Sequence, residues 1–164
     1  MVLGLSLAAF TIVHVLISLA AIASGVVVVL GMLRADRLAG WSAVFLALAL
    51  LTSLTGFLFP IKSFTPALGT GLISTVILIA ALWALYGGHL KRGWRPLYVL
   101  CAVAALYLNV LVLIVQAFQK VPPLHRLAPT GAEPAVLVAQ TAALIAFVAV
   151  GFLAMRRFRP QASL

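Results

Sequence analysis

The sequence predicts an all-α integral membrane protein, a bundle of five transmembrane helices with its N-terminus outside and its C-terminus cytoplasmic. Three observations predict it. Of 164 residues, 65% are hydrophobic and 8% charged, whereas a soluble domain carries roughly 25% charged residues. The apolar residues gather into five uncharged runs, each long enough for a helix to cross a hydrocarbon core of about 30 Å. Every Lys, Arg, Asp and Glu falls between or beyond those runs. The high hydrophobicity excludes disorder, and the runs lack the two-residue alternation of a membrane barrel. The length leaves room for a single membrane domain, 1–164.

The first run extends from Leu5 to Leu33. Ala21-Ile22-Ala23 inside it resembles a signal-peptidase site, but no basic segment precedes it and the apolar stretch is long for a leader. It is therefore read as a mature span. The second run, Trp41 to Phe59, follows Gly40, which marks a break. The third, Pro66 to Leu90, opens on Thr65-Pro66, with Pro at a first helical position where its missing N–H costs nothing. Gly87-Gly88 breaks its far end. The fourth runs from Pro96 to Phe118. The fifth, Pro134 to Met155, follows Thr130-x-x-Glu133, which has the spacing of a capping box. There is no internal repeat, and five spans do not divide into two inverted halves.

Orientation follows from the basic residues. Arg34, Arg37, Lys91, Arg92, Arg95, Arg156, Arg157 and Arg159 share one side; Lys62, Lys120 and Arg126 share the other. The positive-inside rule puts the first group in the cytoplasm. Trp41, Tyr86, Trp94 and Tyr98 fit an aromatic belt on that side. The net charge of +9 does not point to nucleic acid, because the basic residues are dispersed over helix ends without a recognition motif. They read as topology determinants beside anionic lipid. Cys101 stands alone, so it forms no internal disulfide and reads as packing.

Polar residues inside a membrane face other helices or water-filled cavities, so their depth is informative. At 1.5 Å per residue, Asn109, Thr55 and Ser18 lie roughly 20 Å from the cytoplasmic ends of their spans, and Ser74 and Gln140 share that layer. His14 and Gln116 sit nearer the outer edge. The inner half is almost wholly apolar. Polar and small residues share helical faces: Thr11, His14, Ser18, Ala21 and Gly25 on the first span, and Tyr98, Ala102, Ala105, Asn109 and Gln116 on the fourth. A polar pocket opening outward follows, with His14 and Gln116 at its mouth, Asn109 and Gln140 below, and Arg126 attracting an anion. Two plainer readings stand beside it: a mutual bond between Asn109 and Gln140, and ordinary interhelical bonding by Ser18, Thr55 and Ser74.

His14 is the single histidine within a span. It reads first as an interfacial histidine bonded to Ser18 or a loop carbonyl; imidazole there also suits a proton relay, a metal, a quinone or haem b, the last with His125 in the outer loop as a second axial ligand. That loop, Gln119 to Glu133, is the longest connection and is stiffened by proline; it reads as a plain ordered connector, with a lid over the pocket, Arg126 and Glu133 pairing or clamping an anion, as the alternative. No metal site is expected, and enzyme signatures are absent. The chain has no C-x-x-C, no H-E-x-x-H, no phosphate-binding glycine loop and no paired carboxylates, since Asp36 and Glu133 lie on opposite sides.

The segments Thr55-Gly56-Phe57-Leu58-Phe59-Pro60, Tyr107-Leu108-Asn109-Val110 with Gln116, and Leu127-Ala128-Pro129-Thr130 through Glu133-Pro134 and Gln140 are similar to those of small bacterial inner-membrane proteins of a family of unknown function. The resemblance covers nearly the whole chain. It implies the bacterial cytoplasmic membrane and no chemistry. The expected function is a non-enzymatic membrane protein binding a small molecule or lipid headgroup, as a transporter or accessory subunit. The alternatives are a redox component holding haem b or quinone through His14, and a structural subunit of a homo-oligomer or larger membrane complex.

Overall fold

The computed structural model describes residues 2–60 and 65–159; Lys62, counted above by charge, lies outside them. The helices are α1 (Leu7–Leu33), α2 (Ala39–Phe57), α3 (Pro66–Leu82), α4 (Trp94–Lys120), α5 (Pro122–Leu127) and α6 (Pro134–Arg157), with α3 running on as a π-helical turn over Trp83–Gly87. Five of these are long and apolar enough to span a membrane, α5 being the exception. Their ends fall within three residues of the expected spans.

Local chemistry sets those ends. Ser6 Oγ accepts the Ala9 N–H at 3.2 Å and caps α1, and Thr65 Oγ1 accepts the Leu68 N–H at 3.2 Å and caps α3 ahead of Pro66. Two expected boundaries differ. Gly40 does not break the chain but lies in the first turn of α2. The break is at Leu38, left-handed with φ 40°, whose N–H donates to Asp36 Oδ1 at 3.1 Å. Thr130 and Glu133 do bond, through the Thr130 N–H and hydroxyl to Glu133 Oε1, both at 2.9 Å. They close a turn ahead of α6 rather than its first turn, because Glu133 precedes Pro134 and is extended, φ −71° and ψ 155°.

The C-termini of α1, α3 and α6 and the N-termini of α2 and α4 lie at one end, here the basic end, with Arg34, Arg37, Lys91, Arg92, Arg95, Arg156 and Arg157. α4 is the central helix and packs against α1, α2, α3 and α6. Its buried residues run from Tyr98 to Leu106, in the half nearer the basic end. There they meet Ala21, Val28 and Met32 of α1, Phe45, Leu46 and Ala49 of α2, and Leu78 and Ala81 of α3 in one core. Close approach is built in at Gly25, where a Cβ would stand 2.7 Å from Leu106 Cδ1 and 2.8 Å from Phe45 Cε2. From Tyr107 to Phe118, by contrast, α4 has no fully buried residue. α4 is thus close-packed in the basic half and only partly buried in the other.

Tyr98 is not a belt residue. It is 0% exposed, and its hydroxyl donates to Ser42 Oγ at 3.0 Å; Ser42 in turn donates to the Arg37 carbonyl at 3.0 Å. Trp41, Tyr86 and Trp94 at the same end are exposed. α6 is the least buried span. Arg95 of α4 ties its C-terminus, donating from Nη1 to the carbonyls of Met155 at 3.0 Å and Phe158 at 2.5 Å, which supplies partners to groups that a helix end leaves unpaired.

Candidate functional site

At the end away from the basic loops, α1 and α2 meet through a polar pair. The His14 ring lies 2.8 Å, Nδ1 to Oγ1, from Thr55. A threonine hydroxyl has one proton, and that of Thr55 is directed at the Leu51 carbonyl, 2.7 Å away. In the Nδ1–H tautomer the ring donates to Thr55 while Thr55 donates to Leu51, and Nε2 keeps its lone pair as an acceptor. Phe59 meets the imidazole edge-on, ring centroids 5.2 Å apart, and Phe10 packs against Phe59 at 5.0 Å. Gly56 lies beside the ring, where a Cβ would make ordinary contact with His14 Cε1 at 3.7 Å. Phe59 and the Thr55 hydroxyl thus orient a half-buried imidazole.

The hydroxyls of Ser18, Thr52 and Thr75 turn back on their own helices. Ser18 donates to the His14 carbonyl at 2.8 Å, Thr52 to Leu48 at 2.9 Å, and Thr75 to Gly71 at 2.8 Å. Such back-bonding satisfies the hydroxyl without joining helices, so Ser18 acts within α1. Asn109 Nδ2 donates to the Ala105 carbonyl of its own helix at 3.0 Å rather than to Gln140. Gln140 is half-buried on α6. Gln116 is half-buried on α4, and its Oε1 is buried without a hydrogen-bond partner. Arg126 and His125 are exposed on α5, the short helix into which the connection between α4 and α6 folds. Ala128 beyond it is 1% exposed and anchors the loop.

Among the described residues, no three His, Cys, Asp or Glu side chains gather as metal ligands. A concavity lies elsewhere. It is an apolar groove of about 370 Å³ between α4 and α6, lined by Leu100, Val103, Tyr107, Phe147, Gly151 and Phe152 among others. None of His14, Asn109, Gln116 or Gln140 lines it.

The sequence reading missed the partner of His14 and the inner Tyr98, Ser42 and Arg37 chain. A signal for the second existed: Ser42 and Tyr98 each stand about one turn in from the basic end of their helices, hence at one depth. No family model, curated protein or solved structure matches the chain.

Proposed function

We propose that the chain is a non-enzymatic multi-pass protein of a bacterial cytoplasmic membrane, N-terminus outside, that binds a small molecule or lipid headgroup in an outward-facing polar pocket between α1, α4 and α6. It serves as a transporter or accessory subunit. One observation carries the reading: Gln116 Oε1 is a buried acceptor without a partner, in the half of the bundle where α4 has no fully buried residue. An unpaired buried acceptor costs about 1–3 kcal/mol, which a donor on a ligand recovers. His14 Nε2 supplies a second acceptor, Asn109 Oδ1 and the Gln140 amide further groups, and Arg126 attracts negative charge. The basic loops, by the positive-inside rule, put this end outside.

The test uses a Gln116→Cys variant in a Cys101→Ala background, reconstituted in vesicles and treated with a membrane-impermeant thiol reagent. Labelling from the side away from the basic loops is expected; no labelling from that side overturns the pocket. Compounds that raise the thermal stability of the wild type are then expected to lose that effect on the Asn109→Leu, Gln140→Leu double variant. Undiminished shifts overturn the assignment of those residues.

The His14 geometry favours a second reading, a redox component. Ligand histidines donate their second ring N–H to an oxygen that sets their orientation, and the 2.8 Å contact of Nδ1 with Thr55 Oγ1 provides that oxygen in the Nδ1–H tautomer. Nε2 would then face haem b or a quinone, with His125 as a second axial ligand. A reduced-minus-oxidised visible spectrum of the gently extracted protein tests haem. A haem band lost in His14→Ala establishes it, and a flat spectrum removes it.

A further inference from the structure

The groove between α4 and α6 has a polarity that the polar layer does not explain. Its walls span Leu144 to Met155 on α6, about 16 Å at 1.5 Å per residue, which is close to half of a hydrocarbon core of about 30 Å. It therefore covers one leaflet, the one at the basic end. Tyr107 and Phe147, with ring centroids 5.6 Å apart, stand at its inner limit. At the other limit Phe152 lines the groove, and the Arg156 guanidinium sits over its ring, 5.5 Å from the centroid. Leu100, Val148 and Phe152 leave it open to the side, each about 60% exposed. The chain has two acids against eleven Lys and Arg. Asp36 accepts the Leu38 N–H and Glu133 the Thr130 N–H and hydroxyl, so most of the positive charge is balanced from outside the chain.

We propose that this groove holds one acyl chain of an anionic phospholipid whose phosphate rests on Arg156. The match is in length, in polarity and in charge. The exposed apolar face of α6 runs on beyond the groove to Leu137 and Val138, whereas the groove itself spans one leaflet and ends beneath the Arg156 guanidinium. The cation–π seat over Phe152 holds the guanidinium at the groove mouth, and arginine gives phosphate a planar fork of donors. Near an anionic surface one arginine is worth about 1 kcal/mol, an affinity ratio of about fivefold.

The test is native mass spectrometry of the full chain in detergent, titrated with phosphatidylglycerol or with phosphatidylcholine of identical acyl chains. The wild type is expected to retain phosphatidylglycerol about fivefold better. Arg156→Gln removes that preference, and Arg156→Lys keeps part of it. Gly151→Leu weakens both lipids, because a Cβ there meets only Val103 Cγ1 at 3.4 Å and the longer side chain enters the groove. Far-UV circular dichroism checks that each variant is folded. Equal retention of the two lipids by the wild type overturns the proposal, as does an unchanged preference in folded Arg156→Gln. A dimer of the Phe152→Cys variant, in a Cys101→Ala background, that crosslinks and excludes lipid assigns the groove to a second copy instead, and also overturns it.

Discussion

Replacing Gly25 with alanine tests the close-packed half of the bundle directly. The new Cβ would stand 2.7 Å from Leu106 Cδ1 and 2.8 Å from Phe45 Cε2, where ordinary contact begins near 3.4 Å, so about 0.7 Å must be found on both sides. Neither neighbour has space to yield: Leu106 is 2% exposed and Phe45 0%. Overpacking of this kind costs about 1–3 kcal/mol. Alanine recovers about 1 kcal/mol through helix propensity, leaving a net loss of about 1 kcal/mol. Leu106→Ala alone is expected to cost about 2–5 kcal/mol. In that background Gly25→Ala becomes neutral or favourable, because the vacated volume takes the methyl and lets the Phe45 ring shift. The two substitutions then couple by about 1–2 kcal/mol. Gly40→Ala is the control, since a Cβ there meets nothing within 4 Å, and it is expected to gain up to about 1 kcal/mol. The assay is unfolding by sodium dodecyl sulfate in mixed micelles, followed by circular dichroism. Gly25→Ala as stable as Gly40→Ala, or a cost strictly additive with Leu106→Ala, would refute the reasoning.

Arg95→Gln removes the guanidinium that serves the Met155 and Phe158 carbonyls; charge-assisted bonds are worth about 1.5–3 kcal/mol. We expect faster proteolysis after Arg156 and Arg157 and a loss of about 2 kcal/mol in the same unfolding assay. The Glu133 carboxyl is held below the ordinary carboxylate value, first by the Thr130 backbone N–H and then by its hydroxyl. The contribution of the turn is therefore complete above the ordinary value and is lost as pH falls through the lowered one. Exchange of the Thr130 amide should accelerate on acidification over that interval, beyond the intrinsic trend, and Glu133→Gln should abolish the extra pH dependence.

Charge and hydropathy reach the spans but not the rotation of each helix about its axis. The spans were legible because a charged residue inside a bilayer is costly, so Arg34 and Arg95 mark helix ends as plainly as Pro66 and Pro134 do. Depth was legible too, by counting residues. Tyr98 shows where counting stops. Its position near a helix end suits a belt as well as a core, and only packing decides that it faces Ser42. His14 and Thr55 are 41 positions apart, and nothing in either local pattern states that their faces meet. The short helix α5 was masked by prolines that read as loop, although Pro122 and Pro123 occupy the first turn, where proline is tolerated. Asn109 and Ser18 were assigned by polarity to neighbouring helices, whereas the carbonyl four residues back in the same helix is always within reach.

A bundle whose central helix is locked at one half and only partly buried at the other has the mechanics of a lever. The interlock of Gly25, Phe45 and Leu106, with the Tyr98 link to Ser42, forms the fulcrum. Lever length does the rest, for a tilt of about 5° about that fulcrum moves a helix tip about 20 Å away by nearly 2 Å, a distance that makes or breaks a hydrogen bond. Small sliding adjustments among the basic-end side chains would thus be magnified where His14 and Gln116 stand, and the two ends of one helix pair would move by unequal amounts.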